Sequence, residues 1–354
     1  MGIGLPGNIL AKKVAIRYVL ASCNYLTGLL LYLASNLHHL AMMHFLDTNI
    51  YRNLVREVDI SDIQTLAERI RKAESEQDIT TGIPIVVAME LIRHLDPTDP
   101  NCQECFKALC LLFDHTKNFD AQRNTFHGTF FPPLNVILPK YFFDENGPFL
   151  EIYKVIISLT RDLTDHHDIG NIERFQQQIN TVGEQLLFEK QEIYDNMTQY
   201  LREQNNGTLD WAFFAKNKKE REALFRSLRK GTAINDIAEG FMQRAFSIAE
   251  KKYERNDENW GKFLDFYEHY YPAIAMSSLL ITQIGHGTTA LSDITDHRWN
   301  TVSDISMMFG ALYNADIKEI VFITEEKKMH EFFALNSMDK HIDNLQGFKA
   351  RLGI

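Results

Sequence analysis

Two acidic residues in the first third of this sequence follow short apolar runs, where a carboxylate can take part in chemistry. Asp47 ends the run 44–46, and the residues after it have helical spacing. Glu90 follows the β-branched run 83–88, where that run passes into a helical pattern. Open α/β sheets bind ligands beyond the carboxyl ends of their strands, which is where Asp47 is predicted to lie. The simpler alternative is a helix N-cap, because Asp is among the residues preferred there.

Further acidic residues occupy similar contexts near the C-terminal end of the chain. Asp304 lies in the first turn of an apolar helical pattern. The run 320–323 has the composition of a buried strand and is followed by Thr324, Glu325 and Glu326. Because the same context recurs, we expect these acids to converge with the earlier ones in a single pocket.

A pocket of converging carboxylates predicts a divalent cation. Carboxylates that lie close together repel and raise one another's pKa unless a cation lies among them. Hard cations such as Mg²⁺ and Mn²⁺ prefer carboxylate oxygens, and they supply the positioned water and the charge relief that phosphodiester cleavage requires. The sequence has no Gly-x-Ser-x-Gly elbow, Walker-type loop or dinucleotide fingerprint, which argues against several other classes of enzyme.

The order of these segments resembles the PIN-domain nucleases. In that family an Asp follows the first strand, a Glu lies early in a helix, an Asp opens a later apolar helix, and a final Asp follows a strand that ends in Thr. The resemblance covers about 43–95 and 296–335 and is carried by Leu46-Asp47-Thr48-Asn49 and by the Asp304 helix leading into Phe322-Ile323-Thr324. The chain departs from the family in offering Glu at the fourth position and in placing more than half of its length between the second and third acids.

The resemblance implies a set of site residues. The implied catalytic and metal-binding residues are Asp47, Glu90, Asp304 and Glu326, with Glu325 as the alternative fourth acid. Asn49 and Thr324 are implied to orient these ligands or the phosphate without binding the metal themselves.

The resemblance also implies an activity and partners. The expected activity is Mg²⁺- or Mn²⁺-dependent hydrolysis of phosphodiester bonds by an endoribonuclease, with RNA favoured over DNA. The expected role is that of a toxin, a defence effector or an RNA-processing enzyme. A homodimer and an inhibitory partner protein are further expectations, and a membrane is not expected. Two alternatives remain open. One is a catalytically degenerate PIN-like module that binds RNA or a protein partner, and the other is a helical interaction protein whose acids serve only as caps.

An α/β core is needed to bring the acids together. We predict a PIN-like three-layer core with a central parallel sheet, formed by residues 43–98 and 286–354 and interrupted by a mainly α-helical insertion at 99–285. The runs 44–46, 83–88 and 320–323 are its predicted strands. The insertion is predicted from apolar residues spaced three and four apart, with turn signals between the segments.

The overall charge does not favour binding of nucleic acid through bulk electrostatics. The chain has 47 acidic and 37 basic residues, a net charge of −10. A nuclease of this composition would rely on its cations and on a local basic strip. The candidate strip consists of Lys216, Lys218, Lys219, Arg221 and Arg226. The alternative is a solvated amphipathic helix, because the apolar residues at 223–225 and 228 share one helical face.

Residues 1–42 differ from the rest of the chain. The segment 18–43 lacks Asp, Glu, Lys and Arg and follows a basic stretch, as in a membrane anchor. Polar residues such as Asn24 and His38 interrupt it. We expect an upstream extension, with Met42 or Met43 as the native start, or a helix packed on the domain. A membrane anchor is the alternative.

Four cysteines in 354 residues do not make a disulfide framework and indicate a reducing compartment, hence a cytoplasmic protein. The spacing of Cys102, Cys105, Cys110 and His115 would allow structural zinc. The residues between them are apolar and helix-like, so buried free thiols are the preferred interpretation.

Overall fold

Parallel strands, each followed by helices, organise the first part of the structure. The computed structural model describes residues 42–120, 125–313 and 319–354. The elements up to the sheet's edge strand are β1 (Met42–Leu46), α1 (Thr48–Val55), α2 (Ile63–Ser75), β2 (Ile79–Pro84), α3 (Ile85–Ile92), α4 (Cys102–Thr116), β3 (Lys117–Asp120), β4 (Thr125–Gly128) and β5 (Phe130–Phe131). Strands β3 and β4 pair antiparallel in a separate two-stranded sheet.

Helices dominate the middle of the chain, and the sheet resumes after them. The helices are α5 (Leu134–Phe143), α6 (Phe149–Thr164), α7 (Asn171–Arg174), α8 (Gln176–Gln204), α9 (Phe213–Lys216), α10 (Lys218–Arg229), α11 (Thr232–Ile248), α12 (Asp257–Gly285) and α13 (Asn300–Leu312). The remaining elements are β6 (Glu319–Ile323), α14 (Lys327–Leu335), β7 (Ile342–Asp343) and α15 (Leu345–Leu352).

The five sheet strands are parallel and run in the order β5-β2-β1-β6-β7. This confirms the predicted α/β class with a parallel sheet. In β1 every residue after Met42 is buried, and in β6 every residue after Glu319 is buried, so both faces of the central strands are covered. Leu46 pairs with Ile323, and the Asp47 amide donates to the Ile323 carbonyl at 3.0 Å. The carboxyl ends of β1 and β6 therefore lie side by side.

Only the first two residues of the apolar run 83–88 belong to a strand, so the prediction of a strand is wrong for residues 85–88. Strand β2 ends at Pro84 and helix α3 begins at Ile85. The β-branched composition favours a strand, but seven of the eight residues of α3 are buried, so packing on several sides stabilises the helix instead. Pro84 precedes the first helical residue, where its missing amide hydrogen costs nothing.

The range 99–285, expected to be a helical insertion, is mostly helical but also contributes to the sheet. Its strand β5 pairs with β2 through Ile83 and Phe130. Gly82 permits this pairing, because a Cβ atom on Gly82 would lie 2.2 Å from Cε2 of the Phe131 ring. Residues of this range therefore belong to the same hydrophobic core as the sheet.

Helix α12 packs along α13 through aromatic rings. The rings of Phe266 and Tyr270 lie 6.1 and 5.0 Å from that of Phe309. His269 Nε2 donates to the Leu312 carbonyl at 3.0 Å. This packing fixes α13, which carries Asp304, against the helical part of the chain.

The cysteines of α4 are buried free thiols. Cys102, Cys105 and Cys110 lie in one continuous helix, and burial raises the pKa of each thiol. His115 Nε2 contacts Glu74 Oε2 at 2.9 Å instead of facing the thiols. This arrangement favours free thiols over structural zinc.

The extension, packed-helix and anchor interpretations of the N-terminal segment fall on residues 1–41, outside the described residues. Met42 and Met43 are described and belong to β1. Across 42–120, 125–313 and 319–354, none of the helices has both the length and the apolar character needed to span a bilayer.

Candidate active site

Four carboxylates line a cavity of about 280 Å³ at the carboxyl ends of β1 and β6. They come from four different places in the chain: Asp47 follows β1, Glu90 lies on α3, Asp304 lies on α13, and Glu326 precedes α14. The structure thus brings together the four residues that the sequence singled out, although most of the chain separates the first pair from the second. We call this cavity the carboxylate pocket.

Asp47 faces the pocket instead of capping a helix. It occupies the N-cap position of α1, yet in the described structure its side chain makes no capping hydrogen bond. Its Oδ2 accepts from the Thr324 hydroxyl at 2.9 Å. Thr324 is fully buried, and its hydroxyl oxygen accepts from the Glu326 amide at 3.1 Å. Thr324 therefore ties Asp47 to the backbone that carries the fourth acid.

Glu90 is held by a hydroxyl in the same way. Thr48 Oγ1 donates to Glu90 Oε2 at 2.6 Å, across the gap between α1 and α3. The sequence pattern did not single out Thr48 as a site residue. Its position directly after Asp47, at the start of a helix beyond a strand, was the available signal.

Asp304 shares its helix face with two other pocket residues. Asn300 and Thr301 of α13 also line the cavity, one turn before Asp304. Such a spacing of three or four residues places side chains on one side of a helix.

Burial and mutual repulsion raise the pKa of the two aspartates. Burial and then the Glu90 carboxylate raise the pKa of Asp47 to about 7, against the hydrogen bond from Thr324. Burial raises the pKa of Asp304 well above its usual value, and Asp47, Glu90 and Glu326 act in the same direction. Burial is the larger cause for both aspartates, and the repulsion between carboxylates that adds to it is the electrostatic situation that a cation relieves.

The structure distinguishes the two candidates for the fourth acid. Glu326 lines the pocket, whereas Glu325 Oε1 accepts from the Leu345 amide at 2.9 Å, at the start of α15. Asn49 also lines the pocket, as part of the first turn of α1.

Arginine, lysine and histidine side chains that the sequence pattern did not single out also line the pocket. They are Arg52, Arg93, His94, His297, Arg298 and Lys328. Arg93 and His94 follow Glu90 by three and four residues, just after the end of α3, so their helical spacing from Glu90 was a signal for these two. Arg298 lies two residues before α13 and becomes part of the pocket only through the position of that helix.

The predicted basic strip lies elsewhere. Its residues Lys216, Lys218, Lys219, Arg221 and Arg226 belong to α9 and α10 and are not among those lining the pocket. Lys216 pairs with Asp210 at 2.8 Å, and Lys218 pairs with Glu222 at 3.8 Å. These ion pairs are typical of a solvated helix face, the alternative interpretation, and the binding of nucleic acid by this strip stays a prediction.

No protein-family model, curated protein or solved structure matches this chain. The assignment of the pocket therefore rests on its own residues. Their chemistry fits a hard cation, because four carboxylates face one cavity beside amide and hydroxyl oxygens. In the part of the chain that the structure describes, however, no three His, Cys, Asp or Glu side chains are grouped closely enough to hold a metal ion. Cation binding would thus require the carboxylates to move toward one another.

Proposed function

We propose that this protein is a metal-dependent nuclease with a PIN-like three-layer core, acting on RNA in preference to DNA. The observation that carries the proposal is the meeting of Asp47, Glu90, Asp304 and Glu326 in one cavity. These four residues would hold Mg²⁺ or Mn²⁺, which when bound supplies an activated water and offsets the charge of the phosphate.

The residues of the chain have distinct roles in this proposal. Thr324 orients Asp47 and Thr48 orients Glu90, each by donating a hydroxyl hydrogen to a carboxylate. Acids and cations line the same cavity, so phosphates of the substrate would bind the cations while one linkage reaches the acids. Arg93 and Lys328 are exposed and suited to that contact.

The direct test is cleavage of labelled single-stranded RNA and DNA with divalent metal and with chelator. We expect the wild type to cleave RNA with Mn²⁺ or Mg²⁺ only, and Asp304→Asn to lose cleavage while remaining folded. Glu90→Gln should behave similarly, and Glu326→Gln should show a smaller loss because that side chain is exposed. The matched control is Glu325→Gln, an adjacent acid outside the pocket, which should cleave like the wild type. Cleavage in chelator, or cleavage that survives both Asp47→Asn and Asp304→Asn, would contradict the proposal.

A second candidate is a PIN-like module that binds RNA or a protein partner without cutting. It is favoured by one observation, that the described carboxylates are not grouped at metal-coordinating distances as they stand. RNA binding that is unaffected by Asp304→Asn, with no cleavage under any metal condition, would support this candidate over the nuclease.

A further inference from the structure

A buried lysine from the helical part of the chain lies beside the carboxylate pocket. Lys190 is at the middle of α8 and is only 7% exposed. Helix α8 packs against α3, the helix that carries Glu90. Lysine is almost never this buried unless its charge is paired, so the groups around Lys190 explain its position.

The ammonium group of Lys190 holds one end of the helix that carries Asp304. Its Nζ donates to Asn300 Oδ1 at 2.8 Å. Asn300 is the first residue of α13, one turn before Asp304, and both line the pocket. This contact joins the helical part of the chain to the site across more than a hundred residues of sequence.

The charge of Lys190 lies near two of the acids, because its hydrogen-bond partner Asn300 is one turn before Asp304 and because α8 packs against the helix that carries Glu90. Burial and the neighbouring Arg93 lower the pKa of Lys190, while Glu90 and Asp304 oppose that change. Two of the cations that line the pocket are engaged by acids that do not line it. Arg52 pairs with Glu104 at 2.7 Å, and Arg298 pairs with Asp296 at 2.9 Å. Lys190 differs from Arg52 and Arg298 because the carboxylates that interact with its charge, Glu90 and Asp304, line the pocket itself.

We propose that Lys190 is a positioning residue of the carboxylate pocket. Its ammonium group fixes Asn300 and the first turn of α13, and its charge acts as an internal counter-ion for Glu90 and Asp304. This inference rests on the proposed function, because it assumes that the pocket binds a divalent cation.

Two effects of opposite sign follow from this arrangement. A fixed positive charge beside the pocket repels an incoming divalent cation and therefore weakens its binding. The same group keeps Asp304 in place, which favours cleavage once the cation is bound. Loss of Lys190 should thus tighten metal binding and slow cleavage, a combination that ordinary loss of packing would not give.

The test uses the full chain and three substitutions at one position. Lys190→Met removes the charge and the hydrogen bond, Lys190→Gln removes the charge but can still donate to Asn300, and Lys190→Arg keeps the charge. Binding of Mn²⁺ is measured by titration calorimetry, and cleavage is measured at saturating Mn²⁺. Thermal unfolding with Mn²⁺ present identifies variants that do not fold.

We expect Lys190→Met to bind Mn²⁺ about ten-fold more tightly than the wild type, because the substitution removes the repulsion between the ammonium group and the cation. A ten-fold change in affinity corresponds to about 1.4 kcal/mol. Its cleavage rate at saturating Mn²⁺ should fall at least about ten-fold. Lys190→Gln should show the tighter binding with a smaller loss of rate, and Lys190→Arg should retain the wild-type affinity. Asn300→Ala should slow cleavage without tightening Mn²⁺ binding.

Unchanged or weaker Mn²⁺ affinity in both Lys190→Met and Lys190→Gln would overturn the counter-ion role. A wild-type cleavage rate in Lys190→Met would overturn the positioning role. If the wild type is a Mn²⁺-dependent nuclease and these variants match it, this inference alone fails. If the wild type neither binds Mn²⁺ nor cleaves RNA, the proposed function fails and this inference fails with it.

Discussion

Threonine hydroxyls orient two of the acids in the carboxylate pocket. Thr324 bonds Asp47 and Thr48 bonds Glu90, and both hydroxyls come from residues next to a strand end. A carboxylate held in this way presents its other oxygen in a fixed direction. Residues that orient ligands in this manner commonly change activity or metal affinity by about 10- to 100-fold when removed.

The first prediction concerns Thr324. Thr324→Val keeps the shape of this fully buried side chain but removes the donor to Asp47. We expect Mn²⁺-dependent cleavage to fall about ten-fold or more, and Thr324→Ser to restore most of it because serine keeps the hydroxyl. Steady-state cleavage of RNA measures both. Equal rates for Thr324→Val and the wild type would show that this hydrogen bond does not orient a ligand.

The second prediction is that Asp47 destabilises the metal-free protein near neutral pH. The pKa of Asp47 is about 7 in the folded protein, whereas in the unfolded chain it has its ordinary value of about 3.8. Between these values the folded state keeps a proton that the unfolded state has lost, so the free energy of unfolding falls as the pH rises from about 4 to about 7.

Asp47→Asn removes this ionisation. In chelator it should therefore be more stable than the wild type, by up to about 4 kcal/mol above pH 7 and by little near pH 4. Urea unfolding across this pH range measures the difference, and added Mn²⁺ should stabilise the wild type more than the variant. A stability difference that does not change with pH would show that Asp47 titrates normally.

At the scale of elements, the edge of the sheet depends on the close approach of the Phe131 ring to Gly82. Strand β5 lies beside β2, and the Phe131 ring occupies the space where a side chain on Gly82 would be. Phe131 also contacts Phe45 of β1, with ring centroids 5.2 Å apart. This contact joins the range 99–285 to the strand that precedes Asp47.

The third prediction follows from that approach. Gly82→Ala should lower the free energy of unfolding by about 1–3 kcal/mol, because its Cβ would force the Phe131 ring aside. The control is Gly261→Ala in α12, where nothing lies within 4 Å of the new Cβ and the helix should gain about 0.5–1 kcal/mol. Urea denaturation compares the two. An unchanged free energy of unfolding for Gly82→Ala would mean that strand β5 can move to accommodate the added Cβ.

At the scale of the whole molecule, the net charge of −10 restricts where a nucleic acid can bind. A net negative charge repels phosphates, so binding requires a local group of cations. The cations at the carboxylate pocket form such a group, whereas those of α10 are distributed among acids on the same helix.

The fourth prediction compares these two surfaces. Arg93→Ala should weaken binding of single-stranded RNA several-fold. The slope of the logarithm of the binding constant against the logarithm of salt concentration should fall by the amount expected for about one phosphate contact. Lys219→Ala, an exposed basic residue of α10, should have no comparable effect. Binding is measured by fluorescence anisotropy in the Asp304→Asn background, so that cleavage does not interfere. Greater weakening by Lys219→Ala would place the RNA on α10 instead.

The sequence alone predicted the α/β class, the parallel sheet and the four acids that meet in the pocket. It could do so because a strand end followed by a helix is encoded by neighbouring residues, as in the segment from Phe45 to Ile50. Parallel strands then bring their carboxyl ends to one edge, so Asp47 and the residues after Ile323 become neighbours without any further information.

Tertiary packing decided the rest. The β-branched segment after Pro84 became a helix because it is buried on several sides, and β5 joined the sheet because Gly82 leaves room for Phe131. The choice of Glu326 over Glu325 depends on the contact of Glu325 with the start of α15. Lys190 reaches Asn300 only because α8 packs beside α3. These outcomes depend on which faces meet between segments distant in sequence, and local periodicity carries no information about that.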